Sequence, residues 1–97
     1  MKLAWSKLAV EELDALRRYS IERWGVEVAT RYLADIRDSA TRVAANPALA
    51  RPISPEFRLF RVRSHYLIVS PDPAAGTLIV ARVLHTAMDL ERHLPSR

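Results

Sequence analysis

A chain of 97 residues, 49% of them apolar, can bury one core but not two, so a single domain spanning residues 1–97 is expected. It contains no cysteine, which excludes a disulfide framework and thiolate metal sites and fits a reducing, cytoplasmic setting. The formal net charge of +4 rests almost wholly on arginine, since Lys2 and Lys7 are the only lysines. Guanidinium suits bidentate contacts, so an acidic protein and a nucleic acid both fit as partners.

Residues 1–5 read as a short first strand, and Ser6 is a good N-cap because its hydroxyl can accept a free N–H of the first helical turn. Ala9, Leu13, Leu16, Ser20 and Trp24 then recur at spacings of three and four, which predicts an amphipathic helix ending near Gly25. A second helical stripe runs from about Glu27 through Ala29, Tyr32, Leu33, Ile36, Ala40, Val43 and Ala44. Pro47 disfavours helical geometry at Asn46 and ends it. The short joint at Gly25 makes the two helices antiparallel neighbours.

Arg51 to Glu56, with two prolines, reads as a loop. Three strands follow, over about Arg58–Arg63, His65–Ser70 and Thr77–Leu84. The last is apolar at nearly every position and is expected to be central and buried on both faces. Thr86 and Asp89 resemble a capping box, predicting a short helix to about Leu94 before Pro95. The result is an α+β design, a helical hairpin packed on an antiparallel sheet in the order β-α-α-β-β-β, with a short C-terminal helix.

The N-terminus lacks the apolar stretch of a secretory leader, and no run approaches the roughly 20 apolar residues needed to span a bilayer. A soluble chain with no membrane partner is expected. His65 and His93 have no acidic residue or cysteine at a ligand-like spacing, so neither a metal nor another cofactor is expected. Gly25 and Gly76 are too few and too far apart for a phosphate-cradling loop.

Several runs carry a resemblance. They are Ile79-Val80-Ala81-Arg82-Val83-Leu84-His85 followed by Met88-Asp89-Leu90 and His93-Leu94; Leu13, Tyr19 and Glu22-Arg23-Trp24-Gly25 followed by Ala29 and Tyr32-Leu33; Asn46-Pro47 with Arg51; and Arg61-Val62-Arg63-Ser64-His65-Tyr66. Together, from about Ala9 to Leu94, they resemble the ParE branch of the bacterial ParE/RelE toxin family. The resemblance implies a type II toxin that poisons DNA gyrase by binding rather than by catalysis. It also implies a hetero-oligomer with a ParD-like ribbon-helix-helix antitoxin, through which alone operator DNA is reached.

The RelE relatives instead cut messenger RNA on the ribosome, which requires groups that activate a hydroxyl, protonate a leaving oxygen and neutralise phosphate. No tyrosine follows Tyr66 here and no lysine lies on the later strands, which argues against that alternative. Arg61, Arg63, Arg82 and His85 are the best case for it. Strand alternation, however, places Arg82 and His85 on opposite sides, and a structural part is expected for each, Arg82 pairing with an acid such as Asp89 and His85 hydrogen-bonding at the strand end. A general nucleic-acid or protein-binding module is the third reading, with steep salt dependence as its mark.

No catalytic residue is therefore assigned. An acidic antitoxin segment is expected beside the hairpin, steered by the arginine surplus, with Tyr19, Trp24, Arg58, Arg61 and Arg63 as its candidate contacts. The helical spacing of Tyr19, Trp24 and Tyr32 favours packing between the helices, with an exposed edge left for the antitoxin. The resemblance places target binding in the C-terminal segment, at Met88, Asp89, Arg92 and His93.

Overall fold

Ser6 fixes the first boundary as its chemistry predicts: its backbone is extended, its Oγ accepts the Ala9 N–H at 3.0 Å, and α1 begins one residue later. The computed structural model describes residues 1–88 and 90–93. Its elements are β1 (Lys2–Trp5), α1 (Lys7–Trp24), α2 (Val26–Ala45), a 3-10 turn (Pro47–Leu49), β2 (Arg51–Pro52), β3 (Arg58–Val62), β4 (His65–Asp72), β5 (Thr77–His85) and α3 (Leu90–His93).

Gly25 alone joins the helices. It adopts φ 90° and ψ 167°, a conformation open essentially to glycine, and its N–H donates to Ile21 O while its own carbonyl accepts from Ala29 N–H. One residue thus closes α1 and opens α2. Ala9 and Leu13 from α1 meet Leu33, Ile36, Ala40 and Val43 from α2 over Leu67, Val69, Leu78, Val80 and Val83 of the sheet. Each fully buried aliphatic side chain there contributes about 1.5–3 kcal/mol of apolar transfer.

The sheet has five strands in the order β1-β5-β4-β3-β2. β3, β4 and β5 pair antiparallel as expected and β2 adds to them antiparallel, whereas β1 runs parallel to β5, so the sheet is mixed. β5 sits between β1 and β4, with Leu78, Val80 and Val83 buried under the hairpin and Leu84 buried on the other face. That second face holds a smaller cluster of Leu59, Ile68 and Leu84, covered by Ile53, Phe57, Tyr66 and Leu90.

Three details depart from the expected pattern. β2, read as loop, is a two-residue strand held by pairing with Arg58 and Leu59. α3 begins at Leu90 rather than following a Thr86 cap, because Met88 N–H closes a turn onto His85 O at 3.0 Å. Trp24 does not share the buried face of Ala9, Leu13 and Ser20: as the last residue of α1 it lies beyond the hairpin's contact and is 53% exposed, as Tyr19 is at 56%.

β5 also carries a bulge, since Ile68 pairs with Arg82 and Val69 with Val80, leaving Ala81 as the extra residue. Its carbonyl accepts the Ser6 hydroxyl at 2.8 Å, while Val80 O accepts the Ser6 N–H. β1 ends at this point. Beyond it the edge of β5 is covered by Glu12, whose Oε1 accepts the Val83 N–H at 2.8 Å and whose Oε2 accepts from Arg82 Nη2 at 2.8 Å.

Candidate functional site

The carboxyl end of β5, the β3–β4 turn and the start of α2 meet around two histidines. His65 and His85 are register partners on neighbouring strands, and their rings stand edge to face with centroids 5.2 Å apart. Tyr32 reaches them from α2, its hydroxyl 2.6 Å from His65 Nδ1, and the same oxygen accepts the Ser64 N–H at 3.2 Å. A phenol is a stronger acid than an imidazole N–H, so Tyr32 donates to Nδ1 and His65 carries its proton on Nε2. Burial, and then the neighbouring His85, push the His65 pKa down from 6.5 to about 4, so this ring is neutral at physiological pH. His85 Nδ1 accepts the Ala87 N–H at 3.0 Å, which leaves Nε2 as its remaining donor.

These groups line one side of a cleft of about 420 Å³ whose other walls are Leu16, Tyr19, Arg23, Trp24 and Ser64. Tyr19 and Trp24 meet edge on, with ring centroids 5.9 Å apart and an interplanar angle of 87°. Arg23 projects from the last turn of α1, and its guanidinium has no ion-pair or hydrogen-bond partner among the described residues. The cleft therefore joins an aromatic rim to hydrogen-bond donors and a cation.

The expected contact residues are divided among several places. Tyr19 and Trp24 belong to this cleft. Arg61 and Arg63 line a second, more open groove together with Asp35, Asp38, Ser39, Arg42 and Phe60. Arg63, at φ 54° in the β3–β4 turn, donates from Nε to Asp35 at 2.7 Å and holds its guanidinium 5.7 Å from the Tyr32 ring centre, while Arg61 Nε donates to Arg63 O at 2.8 Å. Arg58 turns inward, donating from Nη1 to Ala50 O at 2.8 Å and to Pro47 O at 3.3 Å, so it ties β3 to the turn that follows α2.

In the C-terminal segment Met88 is 45% exposed and Arg92 is exposed, whereas Asp89 and the His93 side chain lie outside the described residues. Leu90 docks the segment on the outer sheet face.

Arg61, Arg63, Arg82 and His85 do not share a cleft. Arg82 pairs with Ile68 on the outer face and reaches round the edge of β5 to Glu12 on α1, with side chains only 17% and 19% exposed, which gives it an acidic partner as expected, while Asp89 lies outside the described residues. His85 hydrogen-bonds at the strand end as expected. Sequence reasoning assigns neither His65 nor Arg23 to a site, and gives Tyr32 only as an aromatic between the helices with an edge for the antitoxin. The 65/85 register that joins the histidines depends on the β4–β5 pairing, and nothing local in the sequence displays it.

Residues 3–90 match the family model described as the ParE toxin of the type II toxin-antitoxin system, parDE. The chain belongs to the ParE toxin family. Toxin ParE1 of Mycobacterium tuberculosis is 36% identical to it over 92 residues, covering 92% of this chain and 93% of that protein. Toxin ParE of Escherichia coli is 32% identical over 92 residues, covering 92% of this chain and 88% of that one. A solved structure titled as a chromosomal ParDE TA system from P. aeruginosa shares the fold, with a TM-score of 0.75 at 20% identity over 88% of this chain and 95% of the other. In this ParE-family chain no helix among the described residues is long and apolar enough to cross a membrane. No group of three or more metal-ligating side chains occurs among the described residues either.

Proposed function

We propose that this ParE-family toxin works in the cytoplasm by binding DNA gyrase without catalysis, and that a ParD-like ribbon-helix-helix antitoxin neutralises it in a hetero-oligomer. Operator DNA is then contacted only through the antitoxin. The observation that carries this reading is the family match across residues 3–90. The dispersal of the basic residues agrees with it, because Arg82 is committed to Glu12, Arg63 to Asp35 and Arg58 to the carbonyls of Pro47 and Ala50.

A second reading, ribosome-dependent cleavage of messenger RNA, draws on one specific feature: Tyr32, His65 and His85 are contiguous and line a cleft with Arg23. It ranks below the first. His65 is a poor proton acceptor near neutral pH, and Nδ1 of each ring is already occupied within the fold.

Purified gyrase assayed for supercoiling and DNA cleavage with the protein added, beside a ribosome-programmed mRNA cleavage assay, separates the two. Lost supercoiling with trapped double-strand breaks and intact mRNA is the expected result. Cut mRNA with gyrase unaffected overturns it.

A further inference from the structure

The hairpin tip and the histidine cleft form a continuous surface of unusual chemistry for a chain with so regular a core. Tyr19 and Trp24 are each more than half exposed on the rim, and Val26, 63% exposed, follows immediately after Gly25. Trp, Tyr and Arg are the residue types most often found to carry binding energy at protein interfaces, and here Trp24, Tyr19 and Arg23 lie within two turns of one helix.

Polarity fixes what the cleft accepts. The Ala87 N–H occupies His85 Nδ1, so the exposed ring presents an N–H donor from Nε2 and no acceptor. Arg23 adds a guanidinium with no ion-pair or hydrogen-bond partner among the described residues. Among the lining residues there is no carboxylate to answer either group, although Glu22 lies beside Tyr19 and Arg23 in a smaller neighbouring hollow. The complement is an oxyanion next to an apolar body that fits against Leu16, Tyr19 and Trp24.

We infer that this cleft is the anchoring site for the antitoxin, taking a carboxylate side chain of an acidic segment onto Arg23 and His85 while the apolar side chain beside it seats against Trp24 and Tyr19. The inference rests on the toxin–antitoxin reading above and deepens it by naming the place and the chemistry of the contact. The net charge of +4 favours such a segment at long range. A nucleotide fits less well. The two rim rings stand perpendicular and form a notch, with no pair of parallel faces between which a base would stack.

The test uses the full chain and the antitoxin cloned from the reading frame flanking its gene, with affinity measured by calorimetry for wild type, Trp24→Ala, Arg23→Gln, His85→Phe and Leu49→Ser. All four positions are solvent-exposed, and circular dichroism melts check that each variant folds. Trp24→Ala is expected to weaken the complex about 30-fold and Arg23→Gln about 10-fold. His85→Phe, which keeps a ring but removes the donor, is expected to cost about 5-fold. Leu49→Ser, on the 3-10 turn, is expected to change affinity less than about 2-fold, as a surface change outside the contact.

A tight complex that the three cleft variants leave within about 2-fold of wild type overturns the inference while the toxin–antitoxin reading stands. No complex with the flanking antitoxin overturns both. In a parallel arm, AMP and inorganic phosphate are titrated into 15N-labelled protein. Saturable shifts at Trp24 and His85 with AMP, together with variant-insensitive antitoxin binding, reassign the cleft to a nucleotide.

Discussion

Glu12 on α1 and Arg82 on β5 form a half-hidden ion pair at 2.8 Å, and the other oxygen of the same carboxylate accepts the Val83 N–H. One side chain thus closes the strand edge that β1 leaves open after Val80 and clamps α1 to the sheet. Glu12→Ala removes the acceptor from a backbone amide and from a guanidinium in a partly desolvated place, which is expected to cost about 2–3 kcal/mol. For a domain of this size the melting temperature then falls by on the order of 10–20 °C. Glu12→Gln keeps an acceptor for Val83 but loses the charge, so it should lose roughly half as much. Equal melting temperatures for wild type and Glu12→Ala in thermal denaturation would show that the pair only decorates the edge.

Ser20 presents the opposite case. It is fully buried on α1, and its Oγ has no hydrogen-bond partner among the described residues. Ser20→Ala removes an unsatisfied hydroxyl while leaving the small volume that the helix contact needs. The variant is expected to be more stable by about 1 kcal/mol, read as a higher urea midpoint with an unchanged slope. A destabilised variant would mean that the hydroxyl has a partner in solution, such as a trapped water.

Local chemistry made much of the fold legible. Ser6 announced α1, Pro47 the end of α2, and the apolar run Leu78–Leu84 a strand inside the sheet, though β4 rather than β5 is its central one, because each depends on residues within a few positions of it. The parallel pairing of β1 with β5, which joins opposite ends of the chain, and the bulge at Ala81 in the β4–β5 pairing were not legible, since neither is set by the residues immediately around it. Trp24 shows how a periodic pattern misleads at a terminus: it keeps helical spacing with Ser20 but has run past its packing partner. The candidate site was half visible. Tyr19 and Trp24 are legible as antitoxin contacts and Tyr32 as an aromatic between the helices, whereas His65 and His85 reach them only through the hairpin and the strand register.

The joint between the helices tests backbone strain in isolation. At Gly25 a methyl group would meet no atom within 4 Å apart from its immediate chain neighbours, so Gly25→Ala creates no packing clash and its cost is conformational. At φ 90° and ψ 167° that cost is about 1–3 kcal/mol. The loss should appear as a lower midpoint in equilibrium unfolding, with the near-UV spectrum of the native state retained. A neutral or stabilised variant would mean that the hairpin relaxes to another joint geometry in solution.

His65 makes the fold sensitive to acid. Its pKa is lowered from 6.5 to about 4 by burial and then by His85, and a proton on Nδ1 would also displace the Tyr32 hydroxyl that donates there. The unfolded chain therefore binds the proton more readily than the folded one. The stability tied to neutral His65 is fully present above about pH 6.5 and is lost progressively as the pH falls towards about 4. His65→Gln keeps an acceptor near Tyr32 but cannot titrate, so the stability difference between wild type and this variant should shrink steadily on acidification from pH 7.5 to 4. Denaturant titrations of both proteins at half-unit pH steps measure it. Parallel stability profiles across that window would show that His65 titrates alike in the folded and unfolded chains.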